Sequence, residues 1–129
     1  MNGLPITLAT ASTLGIMLIW LSARVIASRV KNQALIGDQG NQDLLFAIRT
    51  QGNFSEYTPL FLILLGLLEF SQASPTTLKV LAGLFIVSRL LHMLGMGEGA
   101  NLRLRQLGMI GTFTAIIVAS VLGLYSVLS

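Results

Sequence analysis

The chain has 129 residues, of which 53% are hydrophobic and only 10% charged, and a composition so poor in charge excludes an ordinary soluble domain and points to an integral membrane protein. Cysteine is absent, which excludes disulfides, a thiolate metal site and a nucleophilic cysteine, so any thiol chemistry must arrive with a substrate. The net charge of +3 could suit nucleic acid, but the basic residues are dispersed beside apolar runs, where they mark the cytoplasmic flank of a membrane protein, and no nucleic-acid partner is expected.

A hydrocarbon core ~30 Å thick takes about 20 residues of helix. The chain supplies four such lengths with little left over, expected at 4–28, 44–70, 78–96 and 102–128 in a single all-α domain. Leu4 to Ala23 is nearly uncharged and ends in Arg24, Arg29 and Lys31. No basic residue precedes the run, and it is longer than the core of a signal peptide, so it reads as an uncleaved span. Thr7, Ala11 and Gly15 recur every four residues as a stripe where another helix can approach, and Trp20 sits near the end of the span, as interfacial aromatics do. The polar segment 30–43 carries two glycines and then Asn41 or Asp43, either of which can cap the next helix.

The first half of the second helix carries Arg49-Thr50-Gln51-Gly52-Asn53-Phe54-Ser55-Glu56-Tyr57-Thr58-Pro59. Arg49, Asn53 and Glu56 fall at i, i+4 and i+7 and share a face, with Tyr57 one turn beyond Asn53. A charged group at a helix centre costs about 2.5–3.5 kcal/mol on insertion scales, so this stripe should face protein or a wet cavity rather than lipid. Two readings fit it: Arg49 and Glu56 neutralise each other as glue between helices, or they hold a ligand. Pro59 removes one backbone donor and frees the Ser55 carbonyl, so a kink is expected that opens space beside Glu56 and Tyr57.

A short connection with Pro75 leads to the third span, whose far end carries Ser88, Arg89 and His92. Arg89 and His92 are adjacent at i, i+3. With no cysteine and no paired carboxylate–histidine motif, hydrogen bonding ranks above metal ligation for the chain's one histidine, and no metal is expected. Gly95-Met96-Gly97-Glu98-Gly99 lacks the preceding strand and the Lys-Ser/Thr ending of a phosphate loop and reads as a flexible turn. The fourth helix starts with Arg103 and Arg105, which oppose the helix dipole and ask for a negatively charged partner; further along, Gly111, Ala115, Ala119 and Gly123 make an i+4 series of small residues suited to close packing.

Loops one and three lie on one side of a four-span chain. Seven basic residues, Arg24, Arg29, Lys31, Arg49, Arg89, Arg103 and Arg105, belong to that half, and Lys79 alone lies near the other. By the positive-inside rule, loops one and three are cytoplasmic and both termini lie on the opposite side. Convergence of so many cations at one depth, beyond the nearby carboxylates, favours a ligand site over glue.

The run Arg-Thr-Gln-Gly-Asn-Phe-Ser-Glu-Tyr-Thr-Pro-Leu-Phe at 49–61 resembles the signature of the MAPEG family, the membrane-associated proteins in eicosanoid and glutathione metabolism. The likeness extends through Ser88-Arg89-Leu90-Leu91-His92, Gly95 and Leu102-Arg103, and it is nearer to the small bacterial members, of an inner membrane, than to the leukotriene and prostaglandin synthases. It implies an antiparallel four-helix protomer in a homotrimer, with glutathione as co-substrate between protomers at the cytoplasmic side and a lipophilic electrophile or lipid hydroperoxide entering from the bilayer. By position it implies Arg29, Arg49, Asn53, Glu56 and Tyr57, with Arg89 and His92, as glutathione-binding residues and Arg103 as the cation that stabilises the thiolate. His92 stands where several members have tyrosine, Met96 where some have an aromatic hydroxyl, and Val30 where the leukotriene synthase has a basic residue; these departures leave the electrophile open. The family also includes non-enzymatic lipid-binding members, so a membrane scaffold is the alternative, and a small transporter, without inverted repeats or broken helices, ranks last.

Overall fold

The structure, a computed structural model, describes residues 3–129, and among them the chain forms four α-helices: α1 Pro5–Asn32, α2 Gln42–Phe70, α3 Pro75–Leu94 and α4 Leu102–Leu128. Short loops join consecutive helices into an antiparallel up-and-down bundle, as expected for a four-helix membrane protein. Helices α1, α3 and α4 are each long and apolar enough to cross a membrane; α2 has the length, but its first half carries the polar stripe. The ends follow local chemistry. Asn41 rather than Asp43 caps α2, its Oδ1 accepting from Leu44 N at 2.9 Å, and Asn101 does the same for Arg103 N on α4. Helix α1 runs one turn past the expected 28 and stops where Gln33 turns left-handed, at φ 51°. Helix α3 begins at Pro75 rather than 78, because proline is pre-shaped for a first helical turn.

Helix α2 packs against all three others, α1 against α2 and α3, and α3 against α4. Phe61 and Phe85 stack face to face at 4.0 Å in the centre of the core, with Leu14, Leu65, Leu81 and Ala115 buried alongside. Buried hydroxyls bond back into their own helices, Thr10 to the Ile6 carbonyl, Thr50 to Phe46, Ser88 to Leu84 and Thr112 to Gly108. That satisfies these four hydroxyl donors where water is scarce, whereas the hydroxyls of Thr7 and Thr58 are buried without a partner among the described residues.

The tightest seam joins α3 and α4. A methyl placed on Gly108 would lie 2.6 Å from the Ser88 carbonyl oxygen and 2.7 Å from His92 Cα, and one on Gly95 would lie 2.7 Å from Arg105 Cα. The small-residue series expected at 111, 115, 119 and 123 holds for three of its four members, since Ala115 and Ala119 are fully buried and a methyl on Gly111 would meet the Ser88 side chain, while Gly123 borders open space; Gly108 and Thr112 extend the buried surface. On α1, Thr7 and Ala11 are half-buried but Gly15 is exposed, so that stripe meets its neighbour only in part.

At the end opposite the basic residues, α1 has no capping side chain of its own, since Leu4 occupies the N-cap and Pro5 follows it. The buried carboxylate of Glu69, near the end of α2, takes over. It accepts from Ile6 N at 2.9 Å and from Thr7 N at 2.7 Å. These are the donors at the second and third helical positions, the ones a local cap would satisfy, and a negative charge there also suits the dipole.

Candidate functional site

The basic end of the bundle gathers α2, α3 and α4 around a cleft of about 130 Å³ with Leu45, Phe46 and Met96 as apolar walls and Arg49, Asn53, His92 and Arg105 as polar lining. Arg49 and Asn53 come one turn apart from α2. His92 comes from the last turn of α3, and its position is fixed because Gly108 lets α4 lie directly on its backbone. Arg105 comes from the first turn of α4, whose backbone rests on Gly95.

Behind the cleft, Arg89 is 1% exposed and donates from Nη2 to Asn53 Oδ1 at 2.6 Å. Its Nε and Nη1 and the Nδ1 of His92, itself 3% exposed, are buried without a partner among the described residues. A guanidinium only donates, so Asn53 must turn its carbonyl oxygen toward Arg89 and present its amide N–H groups elsewhere. Arg89 thus orients Asn53.

Arg49 and Glu56 approach to 3.9 Å, but their side chains are 57% and 52% exposed. They occupy the outer face of α2, and a pair this open and this long adds little to stability by itself. Tyr57 is half-buried and meets Phe113 of α4 edge-on at 5.4 Å. The expected opening at Pro59 takes a different form: α2 stays helical through it, and a cleft of about 270 Å³ lies on the α1 side, lined by Gly15, Ser55 and Pro59, rather than beside Glu56 and Tyr57.

Glu56 and Tyr57 do not line the cleft, and two further expected residues, Arg29 and Arg103, stand apart from it altogether. Arg29 donates from Nη1 to the carbonyls of Ala34 at 3.1 Å and Gly37 at 2.9 Å, and so folds the first loop back onto the end of α1. Arg103 is exposed on α4 and does not line the cleft; Arg105 lines it instead. Two residues along a helix is a turn of about 200°, so the two arginines leave α4 in nearly opposite directions. Sequence reasoning used Arg105 in the charge count and, together with Arg103, in asking for a negatively charged partner at the start of α4, and nothing in its spacing marks it above Arg103. It missed Glu69 as well, although a lone carboxylate closing an apolar run and a first helix without a cap of its own are two visible halves of one interaction. Among the described residues no cluster of His, Asp and Glu could hold a metal ion.

The inner membrane proteins YecN of Escherichia coli strains K12 and CFT073 are each 28% identical to this chain over 103 residues, covering 80% of it and 78% of their own length. No solved structure matches the chain. The sequence profile of the MAPEG family matches residues 7–125, a stretch that holds the whole α2 stripe, Arg89, His92 and the start of α4, and the chain belongs to that family.

Proposed function

We propose that the protein is a membrane-bound glutathione transferase that activates the thiol of glutathione against lipophilic electrophiles. The observation that carries this reading is the half-exposed Arg49–Glu56 pair beside a cleft that Arg49 and Arg105 both line. Charges this open are costly against lipid, roughly 2.5–3.5 kcal/mol each at a helix centre, so a second chain and a polar ligand have to cover them. A homotrimer with sites between protomers, the arrangement the family resemblance implies, would do so. The YecN proteins are described as inner membrane proteins, which supports a bacterial inner membrane for this chain, with the loops at 33–41 and 95–101 on its cytoplasmic side.

In this reading Arg49 takes a carboxylate of glutathione and Glu56 its ammonium or a peptide N–H. Arg103, pointing away from its own cleft, serves the thiolate of a neighbouring site. A free thiol near pKa 8.5 is a few per cent ionised at neutral pH, and about 2.7 kcal/mol of differential stabilisation, two pKa units, makes the thiolate dominant. Its sulfur lone pair forms the bond to the electrophilic carbon, the displaced group leaves with its bonding pair, and the thiol proton passes to water. Lipid hydroperoxide reduction is the other outcome open to the same thiolate.

Glutathione titrated into the purified protein in neutral detergent should bind saturably and raise thiolate absorbance in the ultraviolet. Arg49→Ala should weaken that binding about tenfold, the loss of one bidentate charged contact. A wild-type protein that shows neither binding nor thiolate overturns the transferase reading and leaves a non-enzymatic membrane scaffold in its place.

A further inference from the structure

Helix α1 contains no Asp or Glu, and its second half presents one unpartnered face. Trp20, Arg24, Ala27 and Lys31 fall at i, i+4, i+7 and i+11, and all four are exposed. Ile16, 73% exposed, continues the same face one turn nearer the middle of the bilayer. Among the described residues the one ion pair is Arg49–Glu56, so Arg24 and Lys31 are left without a carboxylate. The guanidinium of Arg24 lies over the Trp20 ring, 5.1 Å from its centroid. A ring face attracts the cation without using an acceptor atom, so the guanidinium keeps its N–H donors for another group.

Depth along the helix limits what that group can be. Pro5 opens α1 beside the buried Glu69 carboxylate, and a charge there marks one boundary of the hydrocarbon. At 1.5 Å per residue Arg24 lies about 28 Å further on, close to the ~30 Å thickness of the hydrocarbon core. The cation therefore stands at the opposite headgroup level, with Ile16 and Trp20 beneath it and Lys31 about 10 Å further out. We infer that this face is a docking site for an anionic phospholipid: Arg24, held on Trp20, takes the headgroup phosphate, Lys31 adds its field from outside, and an acyl chain runs down past Ile16. The occupant follows from charge and depth together. A zwitterionic headgroup brings its own ammonium to a place that already holds two cations, and a soluble anion makes no use of the apolar surface below. The site shares no residue with the α2–α3–α4 cleft and does not depend on the transferase reading.

Trp20 is the chain's only tryptophan, so its fluorescence reports the lipid beside it. The purified protein is reconstituted into mixed phosphatidylcholine and phosphatidylglycerol vesicles in which one lipid or the other carries brominated acyl chains, which quench an indole they touch. Brominated phosphatidylglycerol should quench wild type at about fivefold lower mole fraction than brominated phosphatidylcholine, the worth of one basic residue at an anionic surface. Arg24→Gln should bring the two lipids close to parity. Arg24→Lys keeps the charge but loses the planar fork and should recover only part of the preference. Lys31→Gln, about a Debye length farther out, should lower the preference less than Arg24→Gln, and Lys79→Gln, at the other end of the bundle, should leave it unchanged. All three side chains are exposed, so circular dichroism should show the same helix content in every variant. Equal quenching of wild type by both lipids overturns the inference. So does quenching by neither, which would mean that another protein surface covers Trp20. A preference that Arg24→Lys keeps in full overturns it too, since a diffuse surface charge would then suffice.

Discussion

Glu69→Ala is expected to lower the thermal midpoint of the detergent-solubilised protein by on the order of 10 °C, corresponding to about 2–4 kcal/mol. The carboxylate is buried and accepts two backbone hydrogen bonds from the first turn of α1. Hydrogen bonds to a charged group are worth about 1.5–3 kcal/mol each, and a lost cap alone about 1 kcal/mol. Alanine removes both acceptors and strands two donors, because neither Leu4 nor Pro5 can replace them. Glu69→Gln keeps one acceptor oxygen without the charge and should fall between wild type and alanine. Amide exchange gives the local readout: Ile6 and Thr7 should lose protection selectively in Glu69→Ala. An unchanged midpoint together with unchanged exchange at those two amides would remove Glu69 from the account.

Gly108→Ala should be the other severe substitution. Its methyl meets the Ser88 carbonyl and the His92 backbone, groups that cannot rotate aside, so α3 and α4 must separate. Overpacking of this kind costs about 1–3 kcal/mol and occasionally more, and with rigid backbone as the obstacle the upper end is expected. His92 moves with the helix, so under the proposed transferase reading the variant should also bind glutathione more weakly. Gly123→Ala makes a sharp comparison. The chemistry is identical, but the added methyl meets nothing within 4 Å, and in a helix interior alanine gains about 0.5–1 kcal/mol over glycine. The two substitutions should therefore shift the denaturation midpoint in opposite directions. Equal effects would mean that the α3–α4 seam is not where the bundle is tightest.

The outline of the fold was legible because hydropathy and helix length carry it. All four helices lie where the apolar runs place them, and α4 matches to the residue. Ends shifted where a local device intervened, as Pro75 did for α3 and Gln33 for α1. The packing face was harder to read. A row of residues four apart drifts about 40° per step on a helix of 3.6 residues per turn. The series from Gly111 therefore keeps to the packed side through Ala119 and leaves it at Gly123, whereas steps of four, three and four from Gly108 stay on it.

The site was legible in kind rather than in detail. Spacing placed Arg49, Asn53 and Glu56 on one side of α2. The structure shows that Asn53 lies on the inner border of that side, bound to Arg89, while Arg49 and Glu56 stand half exposed. Which of two arginines on α4 meets the cleft depends on the rotation of that helix against α3. That rotation is set by backbone contact at Gly95 and Gly108, which no charge pattern encodes.

The tie between Glu69 and the start of α1 also bears on how the chain is made. Ile6 precedes its acceptor by 63 residues, so during synthesis the first helix reaches the bilayer long before its open amides can be satisfied. Until α2 has emerged, those amides have to stay among lipid headgroups and water. The carboxylate contact thus closes the start of α1 onto the end of α2 only once both helices are in place.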